Sequence, residues 1–425
     1  MKSTVVRSPW LALALVLSLC LSLSFASWDA EDEGRGSRRW QEGGDERRSG
    51  ESGRPYHFGE ESFREWAKSR HGHFKVLERF DHELLRGSIG DYRVACLDAA
   101  PRAFLQPSHY DADEIAFVRE GEGVLVLLRN GKRESFCVRE GDVFVIPAGS
   151  IVYSANTHRS KWFRGSEEQI RELSRSCSRG GRGGGGGSGS EKEDIQPRSL
   201  TGEKPRYSNK HGRFHQITGD QCHHLRKLDM DVTLVNITRG SMTALRYTTR
   251  STRIYIVVEG RDGYFEMACP HVSSSGRSER REHEQERERE HGHGRRSEER
   301  GQEHGRRSEE EEHGHGGEQE KSRGYRQVRA QIKVGSVIVL PAGHPATFVA
   351  GNEGNLALLS FGVGANNDEE VFVTGGNSVL KQLDEAAKAL AFPQQARELA
   401  DRVIRAQPES VFVPGPQQQR RVADM

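Results

Sequence analysis

Between residues 74 and 156 the apolar positions come in short runs, several of them alternating with polar ones. Phe74-Lys-Val-Leu-Glu-Arg-Phe80 and Tyr92-Arg-Val-Ala-Cys-Leu97 alternate, and Val124–Leu128 and Val143–Ile146 are continuous apolar runs. Gly121-Glu-Gly123, Asn130-Gly131 and Pro147-Ala-Gly149 separate them. Short β-branched runs cut by such punctuation predict short antiparallel strands in a sandwich or barrel. Asn130-Gly131 predicts a two-residue type I′ hairpin, because both central residues of that turn take positive φ. Glu83-Leu-Leu-Arg reads as a short helical turn at most.

The pattern recurs downstream. Arg253-Ile-Tyr-Ile-Val-Val-Glu259-Gly260 echoes Glu114-Ile-Ala-Phe-Val-Arg-Glu-Gly121, and Gly335-Ser-Val-Ile-Val-Leu-Pro341-Ala-Gly343 echoes Gly141-Asp-Val-Phe-Val-Ile-Pro147-Ala-Gly149. A repeat of this size predicts two similar β-domains in tandem. Residues 272–324 interrupt the second copy with Arg, Glu, His and Gly. There His293-Gly-Arg-Arg-Ser-Glu-Glu299 returns as His304-Gly-Arg-Arg-Ser-Glu-Glu310. Such a tract cannot bury apolar surface and is expected to be a disordered surface insertion within a hairpin, open to proteases. After residue 375 the period changes. Val379, Leu380, Leu383, Ala386, Ala387, Leu390 and Ala391 line one helical face, N-capped by Asn377 or Ser378 and stopped by Pro393; Ala396, Leu399, Ala400, Val403 and Ile404 line a second, closed by Pro408.

Composition narrows the function classes. Of 425 residues 34% are hydrophobic and 29% charged, too polar for the whole chain to be packed core. Lys+Arg 63 against Asp+Glu 62 gives no electrostatic case for a nucleic-acid partner. Lys2 and Arg7 precede an apolar run, Leu11–Phe25, and Ser24-Phe25-Ala26 supplies small residues, so residues 1–26 read as a secretory signal cleaved after Ala26. No other stretch is long enough to span a bilayer, and no membrane partner is expected. Residues 27–54 form a charged arm. Cys20 leaves with the signal, and the five remaining cysteines stand at no metal-ligand spacing. Cys96 and Cys137 sit among apolar residues as buried strand positions do, and a disulfide is permitted by the compartment without being indicated by the pattern. Asn236-Ile-Thr238 is an N-glycosylation sequon within a strand-like run. The Gly tract at 179–190 lacks a following Gly-Lys-Ser/Thr and reads as a linker. His291-x-His293 and His313-x-His315 are chelate-like pairs, outweighed by the solvated charge tract around them.

The repeated stretches resemble the cupins, and within them the vicilin-like (7S) globulins of seeds. The cupin motifs run Gly-x5-His-x-His-x3,4-Glu-x6-Gly and Gly-x5-Pro-x-Gly-x2-His-x3-Asn; in the enzymes their three His and one Glu bind a metal. Carried over by position, the first His falls at Pro107, the second at His109, the Glu at Glu114 and the third His at Val152; Gly121, Gly141, Pro147, Gly149 and Asn156 match. In the second copy the ligand positions are Arg246, Thr248, Arg253 and Ala346, with His344 beside but off its place. The resemblance therefore supports the barrel and leaves the metal site largely erased. His109 and Glu114 are weak metal candidates, with Asp111, Asp113 and Tyr153 as partial complements, and no cofactor is expected.

The implied architecture is mainly β: two tandem cupin barrels, a C-terminal helical pair and disordered charged loops. The first cupin spans 55–165, a short helix and Gly-rich linker 166–204, the second cupin 205–374, a trimerisation extension 375–407 and a tail 408–425. In the family, closing strands and a helical extension follow the segment ending at Asn156; here the chain passes to Trp162-Phe-Arg-Gly165 and Glu167-Glu-Gln-Ile-Arg-Glu-Leu173. The first barrel thus reads as incomplete, with several tens of residues deleted near Lys161 to Gly165. The resemblance implies a non-catalytic seed storage protein, often allergenic, carried by the secretory route to a protein storage vacuole. It would form a homotrimer and be mobilised by processing proteases. The alternatives are a metal-dependent bicupin of the oxalate decarboxylase or germin-like kind, and a sugar-binding relative.

Overall fold

A computed structural model describes residues 55–157, 177–179, 195–269, 326–394, 396–398, 401–402 and 410–416. The segment read as a signal with its cleavage at Ala26, the arm 27–54, the junction at 161–165 and the insertion 272–324 lie outside the described residues.

The first half carries β1 (His57–Phe58), β2 (Phe63–Ser69), β3 (Gly72–Leu77), helix α1 (Glu83–Ile89), β4 (Ala95–Ala99), β5 (Phe104–His109) and β6 (Glu114–Phe117). It continues through β7 (Glu122–Arg129), β8 (Lys132–Arg139), β9 (Asp142–Ile146), β10 (Ile151–Asn156), β11 (Ser178–Arg179) and β12 (Arg198–Ser199). The second half carries β13 (Tyr207–Asn209), β14 (Gly212–Ile217), helix α2 (His223–Lys227), β15 (Met230–Ile237), β16 (Ser241–Thr243), β17 (Arg246–Thr248) and β18 (Thr252–Glu259). Then follow β19 (Gly263–Cys269), β20 (Arg326–Ile332), β21 (Val337–Leu340), β22 (Ala346–Val349), β23 (Leu356–Val363), β24 (Glu370–Phe372), helix α3 (Glu385–Ala391) and β25 (Phe412–Pro414). Every described strand pairing except β11 with β8 is antiparallel.

The repeat seen in the sequence is a repeat of backbone. Gly141 and Gly335 turn into β9 and β21 at φ 84° and 89°, and Gly149 and Gly343 follow those strands at φ 73° each. A β-carbon strains that conformation, which is why glycine stands at these four places. The Asn130-Gly131 hairpin forms as expected, with φ 51° and 69°, between Arg129 and its cross-strand partner Lys132. Cys269 faces Arg326 across β19 and β20, so the long insertion leaves and rejoins one hairpin.

Three local readings need correction. Glu83 begins a seven-residue helix, not a mere turn: His82 caps it, accepting from Leu84 N–H at 3.3 Å, and Leu85 and Ile89 are fully buried. Burial of its apolar face stabilises what length alone would leave marginal. The first C-terminal helix is broken in two. Ser378 Oγ caps a 3-10 turn, Val379–Lys381, and Asp384 Oδ1 then accepts from Ala387 N–H at 2.7 Å and starts α3 afresh. An aspartate within an apolar periodicity favours a cap over a continuous helix, because its carboxylate satisfies a free N–H of a new first turn. The second helical segment is described only at 394, 396–398 and 401–402. Finally, Cys137 is not an unpaired strand cysteine. It is bonded to Cys177 across 40 residues, beside β11, which lies parallel to β8. Cys96, Cys222 and Cys269 form no disulfide among the described residues.

Strand pairing crosses the boundary read at residues 204–205. β1 lies on β21, with His57 opposite Ile338 and Phe58 opposite Val337. β12 lies on β9, with Arg198 opposite Val143 and Ser199 opposite Asp142. The first half thus lends its leading strand β1 to the second, whereas β12 and β9 both precede that boundary. The largest core fills the second barrel with Val257, Phe265, Phe348 and Leu358, and Tyr56, Leu77, Leu85 and Ile89 of the first half pack onto it. A second core joins Val143 and Val145 of β9 to Ile217, Val232 and Leu359. The first barrel's own core is small, built on Leu125, Leu127, Phe136, Phe144, Ile146, Val152 and Ile195.

Candidate functional site

The second barrel brings its four erased ligand positions together. Arg246 and Thr248 on β17, Arg253 on β18 and Ala346 on β22 line one cavity, with Tyr255, His344, Phe348 and Glu370 around them. The space open to the centre of a water-sized molecule is about 20 Å³, enough for one or two small polar groups. Two buried guanidinium groups, Arg246 and Arg253, stand where metal-binding cupins hold a neutral imidazole and a carboxylate. A cation placed among them would meet like charge in a poorly solvated site.

Arg253 is tied into the wall. Its Nη1 and Nη2 donate to Oδ1 and Oδ2 of Asp231 at 2.9 Å each, and both side chains are 4% exposed. Asp231 Oδ2 also accepts from Gln216 Nε2 at 2.7 Å. Burial works against the guanidinium charge, but the facing carboxylate of Asp231 outweighs it and raises the arginine pKa. Cross-strand register makes the pair: β15 and β18 flank β23, where Asp231 and Arg253 both stand opposite Gly362. A β-carbon at Gly362 would come within 2.5 Å of Asp231 Oδ1.

Arg246 is held more loosely. Its Nε lies 3.9 Å from Glu370 Oε1, with side chains 8% and 9% exposed, and its guanidinium stands 5.3 Å from the centre of the Phe214 ring. Among the described residues Arg246 Nη1 and Glu370 Oε2 have no hydrogen-bond partner. A buried donor and a buried acceptor so placed are costly unless a third group enters between them. His344 Nδ1 is 3.0 Å from the Ala342 carbonyl, and its ring stands 6.0 Å from that of Tyr56. The Thr248 hydroxyl donates to the Ser251 carbonyl at 2.7 Å.

The first barrel assembles less. His109 ends β5 opposite Ile151, and Glu114 begins β6 opposite Ile146; both side chains are exposed in part, and neither has a hydrogen-bond or ion-pair partner among the described residues. Neighbouring protein atoms nonetheless push the Glu114 carboxyl above the ordinary carboxylate range, with no cation to hold it down. The proposed complements are committed elsewhere: Asp113 Oδ1 accepts from Ala148 N–H at 3.1 Å, and Tyr153 Oη accepts from Arg133 Nε at 3.3 Å. No cluster of three His, Cys, Asp or Glu suited to a metal occurs among the described residues. Asn236 lies half-buried in β15, between Arg213 of β14 and Ala357 of β23.

Asp231 and Glu370 carry the electrostatics of the second cavity and escape a motif reading. Asp231 lies upstream of the first motif and Glu370 beyond the second. Their signal is the buried arginines themselves, which demand acidic partners.

Comparison with known proteins places these features. The model of the cupin family Cupin_1 matches residues 72–166 and 199–397. The rice protein Cupincin (Oryza sativa subsp. indica) is 52% identical over 476 aligned positions, covering 97% of each chain. An alignment that long on a 425-residue chain includes several tens of positions at which this chain has no residue. Vicilin Jug r 6.0101 of Juglans regia is 30% identical, covering 91% of this chain and 84% of its own length. The crystal structure of hazelnut (Corylus avellana) vicilin superposes with a TM-score of 0.66 at 29% identity, over 85% of this chain and 100% of that one. The vicilin of Solanum melongena superposes at 0.65 and 25% identity, over 85% and 98%; its structure is described as revealing different anionic ligands in structurally similar pockets.

Proposed function

The chain belongs to the cupin family, with vicilins and 7S globulins among its relatives, and from that premise we propose that it is a non-catalytic storage protein, a nutrient reservoir laid down in seed. The observation that carries this reading is the replacement of the cupin metal ligands. Arg246, Thr248, Arg253 and Ala346 stand at all four ligand positions of the second barrel, and Pro107 and Val152 at two of the first. A metal-dependent oxygenase or decarboxylase needs at least three fixed ligands in one barrel. Composition agrees: 63 Lys and Arg against 5 Met and 6 Cys make a chain rich in nitrogen and poor in sulfur. The reading includes passage through the secretory route to a storage vacuole, self-association through the C-terminal helices into a homotrimer, and mobilisation by proteases cutting within 272–324. Immunoblots through seed filling and germination test it: the chain accumulates in the first and disappears with new cut ends in the second. Constant low abundance through both stages, or stoichiometric manganese or zinc with turnover of oxalate by the purified protein, would overturn it.

A second reading rests on Arg246. Its unpartnered Nη1, facing the cavity opposite Glu370, suits a small anion with a hydrogen-bond donor of its own, such as a hydroxy acid or an amino acid. The vicilin of Solanum melongena, with its anionic ligands, offers a parallel. Calorimetric titration with lactate, glycine and oxalate tests it. Arg246→Met abolishes binding, and equal heats from the variant and the parent would exclude the cavity as the site.

A further inference from the structure

The two barrels share one strand order, except at one place. In the second, the sheet runs β1-β21-β18-β23-β15-β14-β13. In the first, β12-β9-β6 reproduces its beginning and β4-β3-β2 its end, as two separate sheets. His71-Gly72-His73-Phe74 and His211-Gly212-Arg213-Phe214 fix the correspondence of β3 with β14, and so of β4 with β15. Glu114 matches Arg253, and so β6 matches β18. β23 is hydrogen-bonded on both sides, to β15 from Met230 to Ile237 and to β18 from Thr252 to Glu259. Among the described residues β4 pairs only with β3, and β6 only with β9. Each therefore presents one edge of unsatisfied backbone N–H and C=O groups, as edge strands do.

Burial follows the pairing. Leu97 of β4 is 49% exposed, whereas Val235 at the matching position of β15 is fully buried. Ile115 is half-buried, whereas its counterpart Ile254 is 3% exposed. The second barrel also shows what such edges accept. β23 reads Leu356-Ala-Leu-Leu-Ser-Phe-Gly-Val363, without charge or proline, and its first five residues are buried.

We propose that β4 and β6 of the first barrel form a docking site for one extended strand supplied by a polypeptide other than this chain, an uncharged, proline-free segment of about eight residues apolar on both faces, bound by strand addition at both edges. Main-chain hydrogen bonds to Ala95–Ala99 and Glu114–Phe117 supply affinity, and coverage of Leu97, Ile115 and Phe117 supplies selectivity for apolar side chains. The inference is independent of the storage reading, since it rests on the backbone edges of β4 and β6 and not on which side chains occupy the ligand positions.

The test uses the full chain and a fluorescent peptide carrying the β23 sequence between lysine pairs, followed by anisotropy and by hydrogen exchange. The control peptide has Leu359→Pro, which removes a ladder N–H and cannot lie between two strands. Saturable binding of the first peptide, at least tenfold weaker binding of the control, and new protection confined to residues 95–99 and 114–117 are the expected results. Equal binding of the two peptides, or binding without protection of those residues, would overturn the proposal. So would amides of both edges that are already protected in the free monomer. Protection that appears without peptide and grows with protein concentration would assign the edges to a second copy of this chain instead, and would equally overturn it.

Discussion

The two barrels are written in nearly the same local code and differ in how much of it ends up buried. Both have the paired glycines before and after one strand, and they share one strand order except where β23 lies. Yet Val235 is fully buried where Leu97 is 49% exposed, and Phe214 is 1% exposed where Phe74 is half-buried. Local pattern determines where strands form. A large core requires in addition a neighbour on both edges of the central strands, and among the described residues only the second barrel has one, in β23. The same contrast governs chemistry. A closed barrel tolerates Arg253 and Asp231 inside because each satisfies the other, whereas the first barrel leaves His109 and Glu114 partly open and unpaired.

That comparison can be broken or sharpened by experiment. The largest effect is expected from Asp231→Ala, which leaves the buried Arg253 guanidinium with only the Asp368 carboxylate at 3.9 Å and costs about 3–5 kcal/mol in urea unfolding. The matching test in the first barrel, Glu114→Ala, changes stability little; a comparable loss there would show that the open barrel depends on its carboxylate. Next, replacing Cys137 and Cys177 by serine removes a closure across 40 residues and costs about 2–4 kcal/mol. Hydrogen exchange should find that loss in β7 and β8 while β15 and β18 keep their protection. Third, Val235→Ala costs about 1.5–3 kcal/mol from lost burial, while Leu97→Ala stays within about 0.5 kcal/mol; equal losses in thermal denaturation would mean that β4 is covered in solution.

The smallest effect is a difference in pH response. Glu114 and Asp142 of the first barrel are pushed up, the exposed Glu114 by the protein atoms crowded around it and Asp142 by burial, despite an N–H donated by Arg139 at 3.0 Å. A carboxyl raised on folding stabilises below its unfolded pKa, and that contribution is lost as pH rises through the folded value. Asp229 of the second half behaves oppositely. Burial would raise it, but hydrogen bonds from Arg250 and the Asn366 N–H hold it below its ordinary value of 3.8, so its contribution is present above that value and lost as pH falls through the folded one. Acidification toward the ordinary glutamate and aspartate values of 4.5 and 3.8 should therefore strengthen the first barrel's exchange protection. Further acidification should weaken the second at Asp229. Parallel responses of the two barrels would remove the electrostatic part of the contrast.

Much of this was legible in the chain. The alternating runs, the Asn130-Gly131 turn and the doubled Gly-Pro-Gly punctuation mark both barrels, because strand periodicity and positive-φ turns are local properties. The substitutions at Arg246, Thr248, Arg253 and Ala346 were legible by position, and the folded chain brings all four to one cavity. What sequence did not reveal depends on contacts distant along the chain. Cys137 and Cys177 stand 40 residues apart with nothing in their spacing to pair them. Asp231 and Glu370 become partners of the buried arginines only through cross-strand register. Asp384 restarts a helix that apolar periodicity alone would have run straight through. Above all, no periodicity foretells that His57 and Phe58 belong to a sheet whose other members begin beyond residue 200.

The pairing of β1 with β21 sets the order in which this protein can be completed as it is made. β1 is the first of the described strands to leave the ribosome, but its partner Ile338 is synthesised some 280 residues later. At about 5–20 residues per second that is roughly 15–55 s of waiting. During this interval Tyr56, Phe58, Leu85 and Ile89 have no second barrel to pack against, since the core they join is built on Val257, Phe265, Phe348 and Leu358. Neither half can finish alone, and a growing chain of this design holds an apolar amino-terminal segment in reserve until its carboxy-terminal half arrives.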